Sequence, residues 1–202
     1  MRRAGISHGL ILGLCGSIGA CAGSLPQTHY YTLGVPREIV GETSGGEADE
    51  SLVVGVETFT VDPPYDQDRL VYRLGRDSSE VGFYAYHRWA SPLGRLVSVA
   101  IAEGLRGTPG ITSIEPAAST GDYSARLAGR VIYLEEVDLP DGQEARIAVE
   151  LELRDRNDET LWSQTVVGTA TGRAESGSQI ARQINRAFEA LLEEARRALA
   201  GA

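Results

Sequence analysis

The sequence predicts a single α+β domain, a mainly antiparallel (mixed) sheet with two amphipathic helices packed on it. Three observations carry this. Strand-like alternation recurs through the second half, where Ala145, Ile147, Val149, Leu151 and Leu153 interleave with Arg146, Glu150, Glu152 and Arg154. Two stretches, from Leu93 and from Ile180, instead repeat their apolar residues at helical spacing. The turn signals between strands are short, as in antiparallel meanders.

Taken in order, Tyr30-Tyr31-Thr32-Leu33 is a short β-prone segment. Pro36 to Glu50 is Gly-rich and acidic, with few apolar residues, and reads as a loop. Leu52 to Val56 is a buried strand by its β-branched content, and Asp62-Pro63-Pro64 ends the segment after it. Leu70 to Leu74 and Val81 to Tyr86 form a hairpin around the turn-rich Gly75 to Ser79. Ser91 as N-cap and Pro92 at the first helical position open a helix with Leu93, Leu96, Val97, Ala100, Ile101 and Leu105 on its apolar face. Gly107 to Gly110 stops it, and Ile111 to Ile114 is a short strand.

From Tyr123 to Tyr133 the residues Tyr123, Ala125, Leu127, Val131 and Tyr133 are expected on one face, with Arg126 and Arg130 on the other. Pro140-Asp141-Gly142 and Asn157-Asp158-Glu159 turn this strand into the next two, completing an antiparallel meander. The last helix starts at a capping box, Ser176 with Gln179, and buries Ile180, Ile184, Ala187, Phe188, Leu191, Leu192, Ala195 and Leu199. Both helices are expected on one face of the sheet.

Upstream of the domain, Arg2 and Arg3 precede a mostly apolar stretch, Ile6 to Ile18, too short to span a bilayer. It ends in Ile18-Gly19-Ala20-Cys21, a bacterial lipobox: a branched residue, two small ones and the thiol that receives diacylglycerol. Cys15 fits less well, because bulky Leu14 precedes it. The chain thus divides into a lipoprotein signal peptide (1–20), a lipid-anchored tether, short strand and acidic loop (21–50), and the α+β domain (51–202). Lipidation is expected at Cys21, and each buried acyl CH₂ then contributes about 0.8 kcal/mol to membrane attachment.

Charge and chemistry narrow the function. The formal charge is −9, with 28 acidic residues against 19 basic ones, all arginine. That balance argues against nucleic acid and against a polybasic grip on anionic lipid. Without Cys15 and with Cys21 acylated, no thiol is left for a disulfide, a metal or catalysis. No nucleophile elbow, phosphate loop or His-x-x-x-His spacing occurs, so neither a cofactor nor a metal is expected. Asp62, Asp66 and Asp68 fail as a calcium loop, since Pro63-Pro64 interrupt them. Glu135, Glu136 and Asp138 are expected to be solvated at a strand end. The chain is therefore not expected to be an enzyme.

The segment Phe83 to Pro92 concentrates aromatics and an arginine at a strand-to-helix junction. Either Phe83 and Trp89 are core while Tyr84 and Tyr86 cover the other sheet face, or Tyr84, Tyr86, Arg88 and Trp89 form a partner-binding patch.

At these residues the chain resembles the ABC-type transport auxiliary lipoproteins, the paraquat-inducible PqiC or YmbA type. The matching features run in order: the lipobox, Tyr30-Tyr31-Thr32-Leu33, Leu52 to Val56, and Leu70-Val71-Tyr72-Arg73. Tyr86-His87-Arg88-Trp89-Ala90 with Pro92, Asp122-Tyr123 before Leu127-x-Gly129, and the closing helix complete them. Segments 37–50 and 172–178 depart from the pattern. The resemblance implies an outer-membrane lipoprotein facing the periplasm, an outer-membrane destination that Ala22 after the lipid site also favours. Its implied partners are an MCE-domain substrate-binding protein and an inner-membrane ABC permease complex, with phospholipid a further candidate ligand and no nucleotide bound. The alternative is an envelope interaction lipoprotein serving peptidoglycan synthesis or lipopolysaccharide assembly; a hydrolase is a third and weaker class.

Overall fold

The computed structural model describes residues 26–35, 52–118 and 121–200. The signal peptide, Cys21 and the acidic segment 37–50 lie outside the described residues. The strands are β1 (His29–Tyr31), β2 (Leu52–Val56), β3 (Thr60–Val61), β4 (Arg69–Arg73), β5 (Val81–Trp89), β6 (Ile111–Pro116), β7 (Ala125–Leu139), β8 (Gly142–Asp155) and β9 (Thr160–Gly172). The helices are α1 (Leu93–Gly104) and α2 (Gly177–Leu199). All nine strands belong to one mixed sheet.

β7 is its hub. One side of β7 receives β2, β3 and β4 in turn, all parallel to it. Along its other side β8 pairs antiparallel from Ala125 to Leu139, and β9 pairs antiparallel with β8. β6 extends the sheet beyond β2, while β5 and then β1 extend it beyond β4. The long meander is the one the alternation predicted, and β2 and β4 fall where strands were expected; their parallel pairing with β7 and the two-residue β3 were not legible.

The core lies between the sheet and both helices. Leu127, Val149, Leu151 and Val166 meet Ile184, Phe188, Leu191 and Leu192 from α2, and Val97 and Ile101 from α1, all fully or almost fully buried. Each such side chain contributes about 1.5–3 kcal/mol on burial. The helices share one face and touch where Gly104 admits Leu192: a Cβ at Gly104 would lie 2.5 Å from a Leu192 methyl. Arg196 Nε also donates to the Gly104 carbonyl, 2.6 Å away.

Three local expectations change. Pro92 itself is the α1 N-cap, one residue later than expected, and its carbonyl accepts from Arg95 and Leu96 while Ser91 caps nothing. At α2 Ser176 is the N-cap, but its hydroxyl meets Ser178 and Gln179 reaches the Glu175 amide, so the capping box does not close on itself. In β7 a bulge between Val131 and Tyr133 reverses the alternation, which puts Tyr133 on the face opposite Leu127 and Val131.

Candidate functional site

The bulge sets the chemistry of the sheet centre. Beyond it, Leu134 and Glu136 turn toward the helices, while Tyr133 and Glu135 turn to the opposite, open face. The register fixes this assignment: Glu135 faces Arg146, whose neighbour Ile147 pairs with Gly168 beneath α2. Glu135 and Glu136, expected in solvent, are 0% and 3% exposed. The correction has a physical cause, since the strand runs on past them and each carboxylate meets a specific partner.

Glu135 accepts from Arg73 Nε at 3.0 Å, from Arg146 Nη2 at 2.5 Å and from the Tyr65 hydroxyl at 2.7 Å. Tyr65 comes from the segment after Pro63-Pro64, which folds back over the open face here. Burial alone would raise the Glu135 carboxyl, but these hydrogen bonds outweigh it and hold the group below the usual carboxylate range. Tyr65, buried beside that negative charge, is pushed up to about 12. Arg146 also lies over the Tyr133 ring, 5.1 Å from its centroid. Around this centre the open face carries a lattice of exposed ion pairs, Arg130 with Asp62 and Glu150, and Arg154 with Glu152.

On the helix face Glu136 accepts one hydrogen bond, from Tyr84 Oη at 2.8 Å. Here burial wins, with Asp138 adding to it, and the carboxyl is raised. Tyr84 packs on Tyr72 and, edge-on, on His87. His87 Nδ1 lies 2.9 Å from Tyr31 Oη, and its ring stacks on His29. The α2 start is pressed against this group, since a Cβ at Gly177 would lie 2.2 Å from the His87 ring. Burial, then His29, lowers the His87 imidazole.

The four candidate partner-binding residues therefore divide. Trp89 is 4% exposed and part of the core. Tyr84 is half-buried and committed to Glu136. Tyr86 is 44% exposed, and Arg88 is partly exposed with its guanidinium 2.5 Å from Asp68. Tyr30, 66% exposed, pairs in register with Arg88. Tyr30, Tyr86 and Arg88 thus form an aromatic and basic corner on β1 and β5. Beside it lies a groove of about 300 Å³ lined by residues 66–68 and 89–93.

Among the described residues no cluster of three or more His, Cys, Asp or Glu is placed to hold a metal. Among them, too, no helix is long and apolar enough to cross a membrane. The buried carboxylates were missed because their partners are remote in sequence. One signal did exist: counting outward from the Leu139–Gly142 turn pairs Glu135 with Arg146.

A family model for the ABC-type transport auxiliary lipoprotein component matches residues 31–195. A comparison with curated proteins finds no match. Among solved structures, a Xanthomonas campestris protein assigned to DUF330 superposes with a TM-score of 0.69 at 15% identity, over 86% of this chain and 97% of that one. An uncharacterised protein gives 0.65 at 14% identity, over 86% and 99%. A hypothetical protein from Chlamydia trachomatis gives 0.51 at 11% identity, over 75% and 96%. At such identities these likenesses show a shared fold.

Proposed function

From the premise that the chain belongs to the ABC-type transport auxiliary lipoprotein family, whose model spans residues 31–195, we propose that it is the outer-membrane member of an MCE-type lipid transport system. Acyl chains on Cys21 hold it at the membrane, the domain faces the periplasm, and it docks an MCE-domain substrate-binding protein served by an inner-membrane ABC permease. Its role is non-enzymatic. Both buried carboxylates are engaged in holding the sheet together, Glu135 by two arginines and a tyrosine, Glu136 by Tyr84.

The observation that carries a docking role is the exposed corner of Tyr30, Tyr86 and Arg88, residue types that dominate protein interfaces. Its β1 part begins eight residues after Cys21 in the sequence, which keeps the corner close along the chain to the proposed lipid site. The test is crosslinking and recovery of the lipidated protein from its own envelope, beside a Tyr86→Ala/Arg88→Ala variant. Recovery of an MCE-type protein by wild type, and its loss from the still-folded variant, is the expected result. Recovery of a peptidoglycan synthase or a lipopolysaccharide assembly factor in its place would refute the transport role.

A further inference from the structure

β1 is three residues long, and among the described residues it pairs with β5 alone. So short a strand draws little from its ladder, and its place depends on side chains. The register sets His29 beside His87. The Tyr31 hydroxyl is bonded to His87 Nδ1 at 2.9 Å, and the His29 ring stacks on the His87 ring, with 5.5 Å between centroids and 15° between planes. His87 is thus the side chain on which β1 is fastened. Just downstream the chain is fixed independently, because Leu33 is buried in the core and the Gly34 amide donates to Asn185 Oδ1 of α2.

The surroundings of the His87 ring favour its neutral form. A second imidazole lies against it. The start of α2 does too, where Gly177 packs so closely that a Cβ there would overlap the ring. α2 runs for twenty-three residues, its first turn holds no acidic side chain, and Ser176 makes no capping hydrogen bond to it. The positive end of the helix dipole therefore meets His87 without a compensating anion. From β5 the neighbour is Tyr84, edge-on, and Tyr72 of β4 packs on Tyr84 in turn. Glu136 of β7 is bonded to the Tyr84 hydroxyl, and Glu175, ahead of α2, is exposed. Burial and His29 both weaken the hold of His87 on a proton, and among the described residues no carboxylate offsets them.

We infer that His87 is a pH-sensitive latch: neutral, it keeps β1 in the sheet; protonated beside a protonated His29, it expels His29 to Tyr31 while Leu33 and Gly34 hold the chain behind them. Because folding keeps the imidazole below its ordinary 6.5, the latch is complete above that value and is lost as pH falls through the folded one. Release moves the first fixed point after Cys21 from His29 to Leu33, eight residues on to twelve, so the tether at full extension reaches about 43 Å instead of about 29 Å. It also takes Tyr30 away from Tyr86 and Arg88. The latch itself stands on the β1 contacts; its consequence for docking rests on the lipid site and the corner proposed above.

Hydrogen exchange of the full-length protein in detergent micelles, corrected for the intrinsic effect of pH on amide exchange, tests it. Exchange across residues 28–32 should rise about tenfold from pH 7.5 to pH 5.5, the order that two charges 5.5 Å apart produce near a protein surface, while β8 stays protected. His87→Gln keeps a partner for Tyr31 and carries no charge, so its β1 should exchange alike at both pH values. His29→Gln, at an exposed position, removes the second charge and should cut the rise to about threefold. A wild-type β1 indifferent to pH, or an equal rise in His87→Gln, overturns the latch. So does a rise spread over the whole domain, which is acid unfolding. In the envelope, crosslinked recovery of the MCE-type protein should fall at pH 5.5 for wild type and hold for His87→Gln. Recovery that holds in wild type while β1 exchanges freely leaves the latch standing and removes Tyr30 from the docking corner.

Discussion

Replacing Glu135 by glutamine should be among the most damaging isosteric changes in the domain. The carboxylate is wholly buried and joins Arg73 of β4 to Arg146 of β8 across β7, with Tyr65 as a third donor. The two arginine side chains are 15% and 22% exposed, so solvent screens the interaction little. Glutamine leaves two guanidinium groups close together without their counter-charge. Breaking a buried pair in this way costs about 3–5 kcal/mol. In a domain of this size each kcal/mol moves the melting temperature by about 2–4 °C, so a fall on the order of 10 °C is expected. Urea unfolding at neutral pH and thermal denaturation both read it. The pH dependence gives a second handle. Because the folded carboxyl is held below its unfolded value of 4.5, its contribution is complete above that value and is lost as pH falls through the folded one. The variant should therefore lack part of the wild-type acid limb. A companion variant, Arg73→Met/Glu135→Leu/Arg146→Met, should recover most of the loss, since well-packed apolar groups often replace a buried ion cluster without penalty. A Glu135→Gln loss below about 1 kcal/mol, the range of exposed pairs, would refute the reasoning.

Glu136→Gln should act in the opposite sense. The buried carboxyl is raised, so its folded-state contribution is present below the unfolded value and lost as pH rises through the folded one; the variant keeps a partner for Tyr84 and should gain relative stability between pH 5 and 8 in urea titrations. Trp89→Ala should cost about 3–5 kcal/mol by denaturation, as for other buried tryptophans, whereas Tyr86→Ala should stay within about 0.5 kcal/mol. Equal effects of those two changes would contradict the division of the patch. Gly168→Val drives a side chain into the α2 backbone and should lower stability by about 3 kcal/mol or more, with altered near-ultraviolet dichroism; a neutral result would mean that α2 does not rest on β9 as described.

The parts of the fold legible in the sequence are those whose periodicity runs long enough to repeat. β8 alternates over fourteen residues and α2 keeps its stripe over twenty-three, so both were readable. β3 has two residues and cannot alternate, and it declares itself only by pairing with β7. The β7 bulge was equally hidden: one extra residue near Ile132 reverses every later side chain, and nothing in Arg130-Val131-Ile132-Tyr133 announces it. That slip decides which of the two glutamates faces the helices; that both are buried was hidden because β7 runs on to Leu139 and their partners Tyr65, Arg73 and Tyr84 are remote in sequence. At the candidate corner, the aromatics were visible as a cluster, but which of them point outward depends on the irregular pairing of β5 with β4 between Phe83 and Arg88.

The position of β7 also bears on how the domain can come together. β2 has β6 beside it and β4 has β5, yet the two pairs share no ladder of their own and join only where each lies against β7. Among the described residues, the strands N-terminal to Ala125 are therefore two unconnected fragments of sheet, β2–β6 and β1–β5–β4, and the lone β3. A chain delivered from its N-terminus must keep both fragments open until the strand that bridges them arrives, and the meander that follows needs only near neighbours to form. The strand that arrives with the C-terminal meander thus templates the ones before it, and the order of assembly runs against the order of the sequence.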